Sequence, residues 1–210
     1  MYIPSINRIT NNNEIRAFIE RFSFGTIVTA GTDGLPVATH LPFLVEQDDD
    51  ALVLVSHFAK ANPQWKHIEN NEQVLVLFQE PHAYISPFHY EKELNVPTWN
   101  YMAAHVYGEG SLITEQDAVF RVLDQTVAHY EAAYKVRYDQ LPNDFKFKMS
   151  QGIVAFKIRA TDIQAKQKLS QNKTAAEQER IIHTLSQSQD SSARYIAAYM
   201  QKNRQCHDGL

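Results

Sequence analysis

"TIVTAGTDGLPVATHLPFLVE", Thr26 to Glu46, decides the fold. Two β-rich stretches flank "GTDG", and Asp33-Gly34 is the strongest short-range signal for a hairpin. A hairpin pairs neighbours antiparallel, whereas a parallel pair needs a crossover of a dozen or more residues, usually a helix. Working outward, "QDDD" (47–50) makes the next turn, and "ALVLVSH" (51–57) the next strand. "QVLVLFQ" (73–79) is apolar throughout, which predicts burial on both faces. "HAYIS" (82–86), "TWNYMAAHVYGEGSLI" (98–113) and "QGIVAFKIRATDIQAK" (151–166) read as further strands, with the polar, aromatic loop "PFHYEKELNVP" (87–97) between the first two.

Helices lie around these strands. "NNNEIRAFIERFSF" (11–24) opens on capping asparagines and places Ile15, Phe18, Ile19 and Phe22 on one stripe, with Gly25 as its stop. "TEQDAVFRVLDQTVAHYEAAY" (114–134) has Thr114 as the expected cap and Val119, Val122, Leu123 and Val127 on one face. The end, "KTAAEQERIIHTLSQSQDSSARYIAAYMQKNR" (173–204), reads as two helices broken near "SQSQDSS". About six hairpin-linked strands with few helices between them indicate an α+β chain. Its centre is an antiparallel barrel with peripheral helices and a helical C-terminal tail. The division expected is a barrel domain over 1–173 and a helical extension, packed on the barrel, over 174–210.

Composition bounds the function. The chain has 210 residues, 21% of them charged, and a net charge of −4. It lacks a Lys/Arg block, so the electrostatic attraction that drives nucleic-acid binding is missing. Arg180, Arg194, Lys202 and Arg204 read as a solvated helix face before they read as a DNA-binding patch. A single cysteine, Cys206, excludes an intramolecular disulfide and suits a reducing compartment; with His207 beside it, it makes a poor metal site. "MYIPSINRIT" has no signal-peptide pattern, and no apolar run approaches the ~20 residues that span a bilayer, so a cytoplasmic location is expected.

Nine histidines occur without HExxH or CxxC…H spacing, so no metal is assigned. Ser56 and His57 are adjacent and point to opposite faces of a strand, and no G-x-S-x-G elbow exists, so a serine hydrolase finds no support.

Two stretches carry candidate chemistry. In "SHFAKANPQW" (56–65), Asn62 is a favoured N-cap and Pro63 a favoured first helical residue, so a strand end meets a helix start. Free N–H groups there, with Lys60, His57 and Ser56 close by, would accept a phosphate; a plain helix start with a solvated lysine fits the same letters. In "VPTWNYMAAHVYG" (96–108), alternation puts Trp99, Tyr101, Ala103, His105 and Tyr107 on one face. That face is either a wall for a flat ligand or barrel core. Core packing is the expectation for most of it, with Trp99 and Asn100 facing ligand.

Taken together, "HLPF", "SHFAKANPQW", "VLVLFQEPHAYISP", "VPTWNYMAAHVYG" and "KLSQNK" resemble the PaiB family of FMN-binding negative transcriptional regulators, over roughly residues 1–173. Lys60 stands where that family often has arginine, and Ser56 where it often has glycine. The resemblance implies a split β-barrel related to pyridoxamine-phosphate oxidases, a homodimer holding FMN between subunits. It implies that Ser56, His57, Lys60 and Asn62 hold the flavin phosphate and that Thr39, His40 and Leu41 run beside the ribityl chain and ring. Tyr84, Ser86, Trp99 and Asn100 would approach from the partner subunit, and Lys168, Ser170 and Asn172 would lie on the substrate side. Regulation of transcription, with DNA as a partner, is implied by the family alone. An FMN-dependent oxidoreductase and a haem-binding or haem-degrading split barrel are the alternative functions.

Overall fold

The computed structural model describes residues 1–31, 33–48, 51–69 and 73–207, the side chains of 206 and 207 excepted. The tip of the "QDDD" turn and the side chains of the Cys206–His207 pair lie outside what is described.

Eight strands form where about six are legible in the sequence: β1 (Arg8–Ile9), β2 (Phe24–Ala30), β3 (Pro36–Pro42), β4 (Leu44–Asp48), β5 (Ala51–Ala59), β6 (Gln73–Ile85), β7 (Thr98–Ile113) and β8 (Ile153–Lys168). The helices are α1 (Asn12–Arg21), α2 (Trp65–Glu69), α3 (Gln116–Tyr130), α4 (Lys135–Asp139), α5 (Asn143–Ser150), α6 (Ala175–Ser186) and α7 (Ser191–His207). The sheet runs β3-β2-β6-β7-β8-β5-β4, with β1 added on β8. β2–β3, β2–β6, β4–β5, β5–β8 and β1–β8 are all antiparallel.

The hairpin forms as read. Thr26 lies opposite His40 and Ala30 opposite Pro36. Gly34 turns the chain with φ +79°, a left-handed value that a side chain resists. The second arm is not continuous: Phe43, 1% exposed, turns into the core and splits it into β3 and β4. "QVLVLFQ" and "HAYIS" join into one long strand, β6. Its first half alternates, with Val74, Val76 and Phe78 buried and Leu75 and Leu77 half-buried, so one face is core and the other is only partly covered. Glu115, not Thr114, precedes α3, and its side chain makes no capping bond.

Contacts group the described chain into two units. The first comprises Met1–Ile15, Gln79–Ala104 and Gln164–Leu210; the second comprises Arg16–Phe78 and His105–Ile163. Strands β6, β7 and β8 pass from one to the other. In the second unit, Phe43, Phe58, Phe78 and Phe156 interlock, with Phe58 stacked on Phe156 at 4.7 Å between centroids. In the first, α6 and α7 pack together, and α7 meets β6, β7 and β8. Ser192 bridges both backbone groups of His82, Met200 meets Asn100, and Asn203 Nδ2 donates to Gln167 Oε1. The helical end is thus built into the first unit together with residues 1–15 and 79–104.

Candidate functional site

In the second unit, the stretch from Ala59 to Gln64 is braced at every step. Lys60 N–H donates to Gly152 O at 2.8 Å and Asn62 N–H to Ala59 O at 2.9 Å. Trp65 Nε1–H closes back on Lys60 O at 3.1 Å. Asn62 caps as expected, its Oδ1 accepting from Gln64 N–H at 3.0 Å. The helix proper starts at Trp65, two residues after Pro63, because Lys66 and His67 bond back to Pro63 O and Gln64 O in tighter three-residue turns. One of the N–H groups expected to face a ligand is therefore taken by Asn62 itself.

Behind this turn lies a residue that sequence reasoning missed. Gln64 is 1% exposed, and its hydrogen bonds have only one consistent direction. Its Nε2 donates to Val37 O at 3.0 Å and Thr29 Oγ1 at 3.1 Å, while its Oε1 accepts from Thr39 Oγ1 at 2.5 Å. Thr39 Oγ1 in turn accepts from Asn62 Nδ2 at 2.9 Å, and Thr29 Oγ1 lies 2.7 Å from His67 Nδ1. The network pins the Asn62 turn to both arms of the hairpin. A glutamine between proline and tryptophan carries no sequence signal of this; only the register of β2 with β3 creates the pocket it fills. Gly110 is equally silent in sequence. A Cβ there would meet Ile68 Cγ2 at 2.8 Å, so its lack of a side chain lets α2 seat.

The structure sorts the residues expected here. Lys60 is exposed, and its ammonium has no ion-pair partner among the described residues. His57 is half-buried and burial lowers its pKa, so it stands neutral near pH 7. Ser56 is 3% exposed and its proton goes to Pro42 O at 2.7 Å. That hydroxyl satisfies the carbonyl at the β3–β4 bend and has no proton left for a ligand. Thr39 and Leu41 are half-buried, His40 is exposed and stacks near Phe24. Among the described residues, β3 stands at the end of the sheet with β2 as its neighbour.

In the first unit, Trp99 is 53% exposed and Tyr84 50%, their rings edge-on at 5.8 Å. Ser86 caps a short turn by accepting from Phe88 N–H, and Asn172 is exposed. Asn100 is not at a ligand-facing position as expected. It is fully buried, donating to Met200 Sδ and accepting from Ser170 Oγ at 3.1 Å. Ser170 is buried too, in a left-handed conformation with φ 59°. Lys168 Nζ donates to Thr98 Oγ1. The expectation of core packing for the aromatic face of 98–107 holds for Ala103, which is buried, and fails for its rings. The opposite face, Asn100, Met102, Ala104 and Val106, is buried, and Trp99, Tyr101, His105 and Tyr107 are half-buried or exposed. Small and flexible residues turn inward, and the rings with polar tips stay at the surface.

Chemically, the second unit offers, among the described residues, a cation without an ion-pair partner on a braced turn tied to β3 through Asn62 and Thr39. The first offers half-exposed rings. The cation suits a phosphate, and the rings suit the face of a planar group. Among the described residues no helix is long and apolar enough to cross a membrane.

Comparison with known proteins bears on that fit. Residues 1–162 match the family model described as "Putative FMN-binding domain". The "Protease synthase and sporulation protein PAI 2" of Bacillus subtilis (strain 168) is 42% identical over 203 residues, covering 96% of this chain and 97% of that protein. Two solved structures share the fold. The FAD and heme binding protein of Mycobacterium smegmatis has TM-score 0.61 at 16% identity, over 82% of this chain and 78% of that one. The flavocytochrome Anf3 of Azotobacter vinelandii has TM-score 0.61 at 14% identity, over 76% and 68%. The chain therefore belongs to the FMN-binding family that this model describes, in its PaiB-like branch, with FMN as its cofactor.

Proposed function

We propose that this protein is a flavin-dependent regulator that works as a homodimer, each FMN being held by both subunits. The phosphate lies at the Lys60–Asn62 turn of one subunit, with Thr39, His40 and Leu41 of β3 alongside the ribityl chain and ring. Tyr84, Ser86, Trp99, Lys168 and Asn172 approach from the other. Ser56, Asn100 and Ser170 support the site from inside, and neutral His57 supplies a donor without charge.

One observation carries this reading: Lys60 keeps an unpaired ammonium in water on a turn whose backbone is fixed by four hydrogen bonds. Nothing in the fold of the described residues needs that charge, whereas a phosphate dianion does. FMN supplies reversible one- and two-electron chemistry when bound; the chain's residues hold and orient it. Dimerisation is supported by apolar side chains left in the open in the first unit, Phe88 at 96%, Leu94 at 95% and Val96 at 75% exposed. The regulatory part rests on the relative named for protease synthesis and sporulation. With a net charge of −4, gene control proceeds through a partner or a local surface rather than through general attraction to DNA.

The purified protein tests the reading. Flavin absorbance without a Soret band supports it; a Soret band with no flavin overturns it in favour of haem. Steady NAD(P)H oxidation with turnover of a small substrate would make it an oxidoreductase instead.

A further inference from the structure

Lys166 is 7% exposed, yet no carboxylate of a described residue pairs with it. Its Nζ donates to Tyr101 Oη at 2.6 Å and to Tyr2 O at 3.3 Å, and lies 4.9 Å from the centre of the Tyr101 ring. An ammonium has three protons, and a buried one without a counter-charge is costly. Lys168, two residues along β8, points to the same side. Burial lowers its pKa, and the nearby Lys166 lowers it further against the opposing pull of Tyr101. Arg8 lies directly opposite Lys166 in the β1–β8 register, which puts a third cation on this side of the ribbon.

The neighbouring strand completes the face. Tyr101 and Trp99 alternate onto one side of β7, and Trp99 continues into Tyr84 of β6. Aromatic rings thus stand beside cations, all within the first unit. A lone lysine with a packed stem and a solvated head is ordinary. Two lysines side by side, satisfied only by neutral oxygens, are not. Because Lys166 donates to Tyr101 Oη, the Tyr101 hydroxyl has its own proton free for an acceptor.

We propose that this face binds a small planar molecule bearing a carboxylate or phosphate, the anion resting on Lys166, Lys168 and Tyr101 and the ring on Trp99. The inference deepens the flavin reading, since Lys168 and Trp99 belong to the flavin side of the site, but it does not use the Lys60 turn.

The full chain carrying its flavin is titrated with benzoate, phenyl phosphate and neutral benzamide by calorimetry. At least one anion binds tenfold or more tightly than benzamide, and Lys166→Met removes that margin without changing FMN affinity. Tyr101→Phe, which keeps the ring, weakens the anion and spares benzamide; it serves as the test should Lys166→Met not fold. Lys60→Ala weakens FMN and leaves the anion. Equal binding of anions and benzamide, or anion binding indifferent to both Lys166→Met and Tyr101→Phe, overturns the inference. Displacement of phenyl phosphate by FMN overturns it together with the Lys60 assignment. FMN affinity untouched by Lys60→Ala, with anion binding lost in Lys166→Met, sinks the Lys60 assignment alone.

Discussion

Gln64 shows how much one side chain decides. It links β2, β3 and the Asn62 turn through donors and acceptors whose directions are all fixed. Gln64→Leu keeps the volume and strands several buried polar groups, each costing about 1–3 kcal/mol. The expected result is a lower melting temperature and weaker FMN binding together, read by thermal unfolding and flavin titration. Asn62→Ala, at a half-buried position, should cost less stability than affinity. His57 supplies a pH dependence. Its folded pKa lies below the ordinary 6.5 because burial disfavours the imidazolium. The unfolded chain then binds the proton more readily, so its contribution to stability is complete above about 6.5 and is lost as pH falls toward the lowered folded value. A pH series of unfolding midpoints should show this fall, and His57→Gln should flatten it. Ser56, Asn100 and Ser170 teach the converse. Their types suit a ligand, but burial commits them to the fold, and burial at single positions cannot be read from letters.

Most elements were legible because their periods are clean. The hairpin, β5, β7, β8, α1, α3 and the two tail helices stand where alternation or helical spacing puts them. The failures have physical causes. Phe43 splits a strand because its ring enters a cluster contributed by residues far along the chain. In β7, ring size suggested the aromatic face as core, but Ala104 and Met102 allow closer packing than tyrosines, so the aliphatic face won. Two tests belong at this scale. Gly110→Val drives a side chain into Ile68, which is fully buried, and should disturb α2 and weaken flavin binding without touching Lys60. At the start of α6, Thr174 and Glu177 form a capping box, and Glu177 Oε1 also accepts from Glu91 N–H at 2.9 Å. Thr174→Ala should cost about 1 kcal/mol. Glu177→Ala should in addition free residues 87–97, measured as faster limited proteolysis there.

For the molecule as a whole, the residues expected at the flavin divide evenly. Thr39, His40, Leu41, Ser56, His57, Lys60 and Asn62 belong to the second unit, and Tyr84, Ser86, Trp99, Asn100, Lys168, Ser170 and Asn172 to the first. In the proposed site the two sets come from different subunits, which predicts a dimer whose dissociation releases flavin. Light scattering should give twice the chain mass, and Phe88→Asp with Leu94→Asp should give monomers depleted of FMN. A monomer that retains full flavin affinity would exclude the shared site.

The central claim is that Lys60 holds a phosphate, and comparing FMN with riboflavin isolates that group. Wild-type protein should bind FMN far more tightly than riboflavin. In Lys60→Ala, FMN should weaken by roughly 10- to 150-fold, the ~1.5–3 kcal/mol of a charge-assisted hydrogen bond, while riboflavin is unchanged. Equal losses for both ligands, or none for FMN, would contradict the assignment.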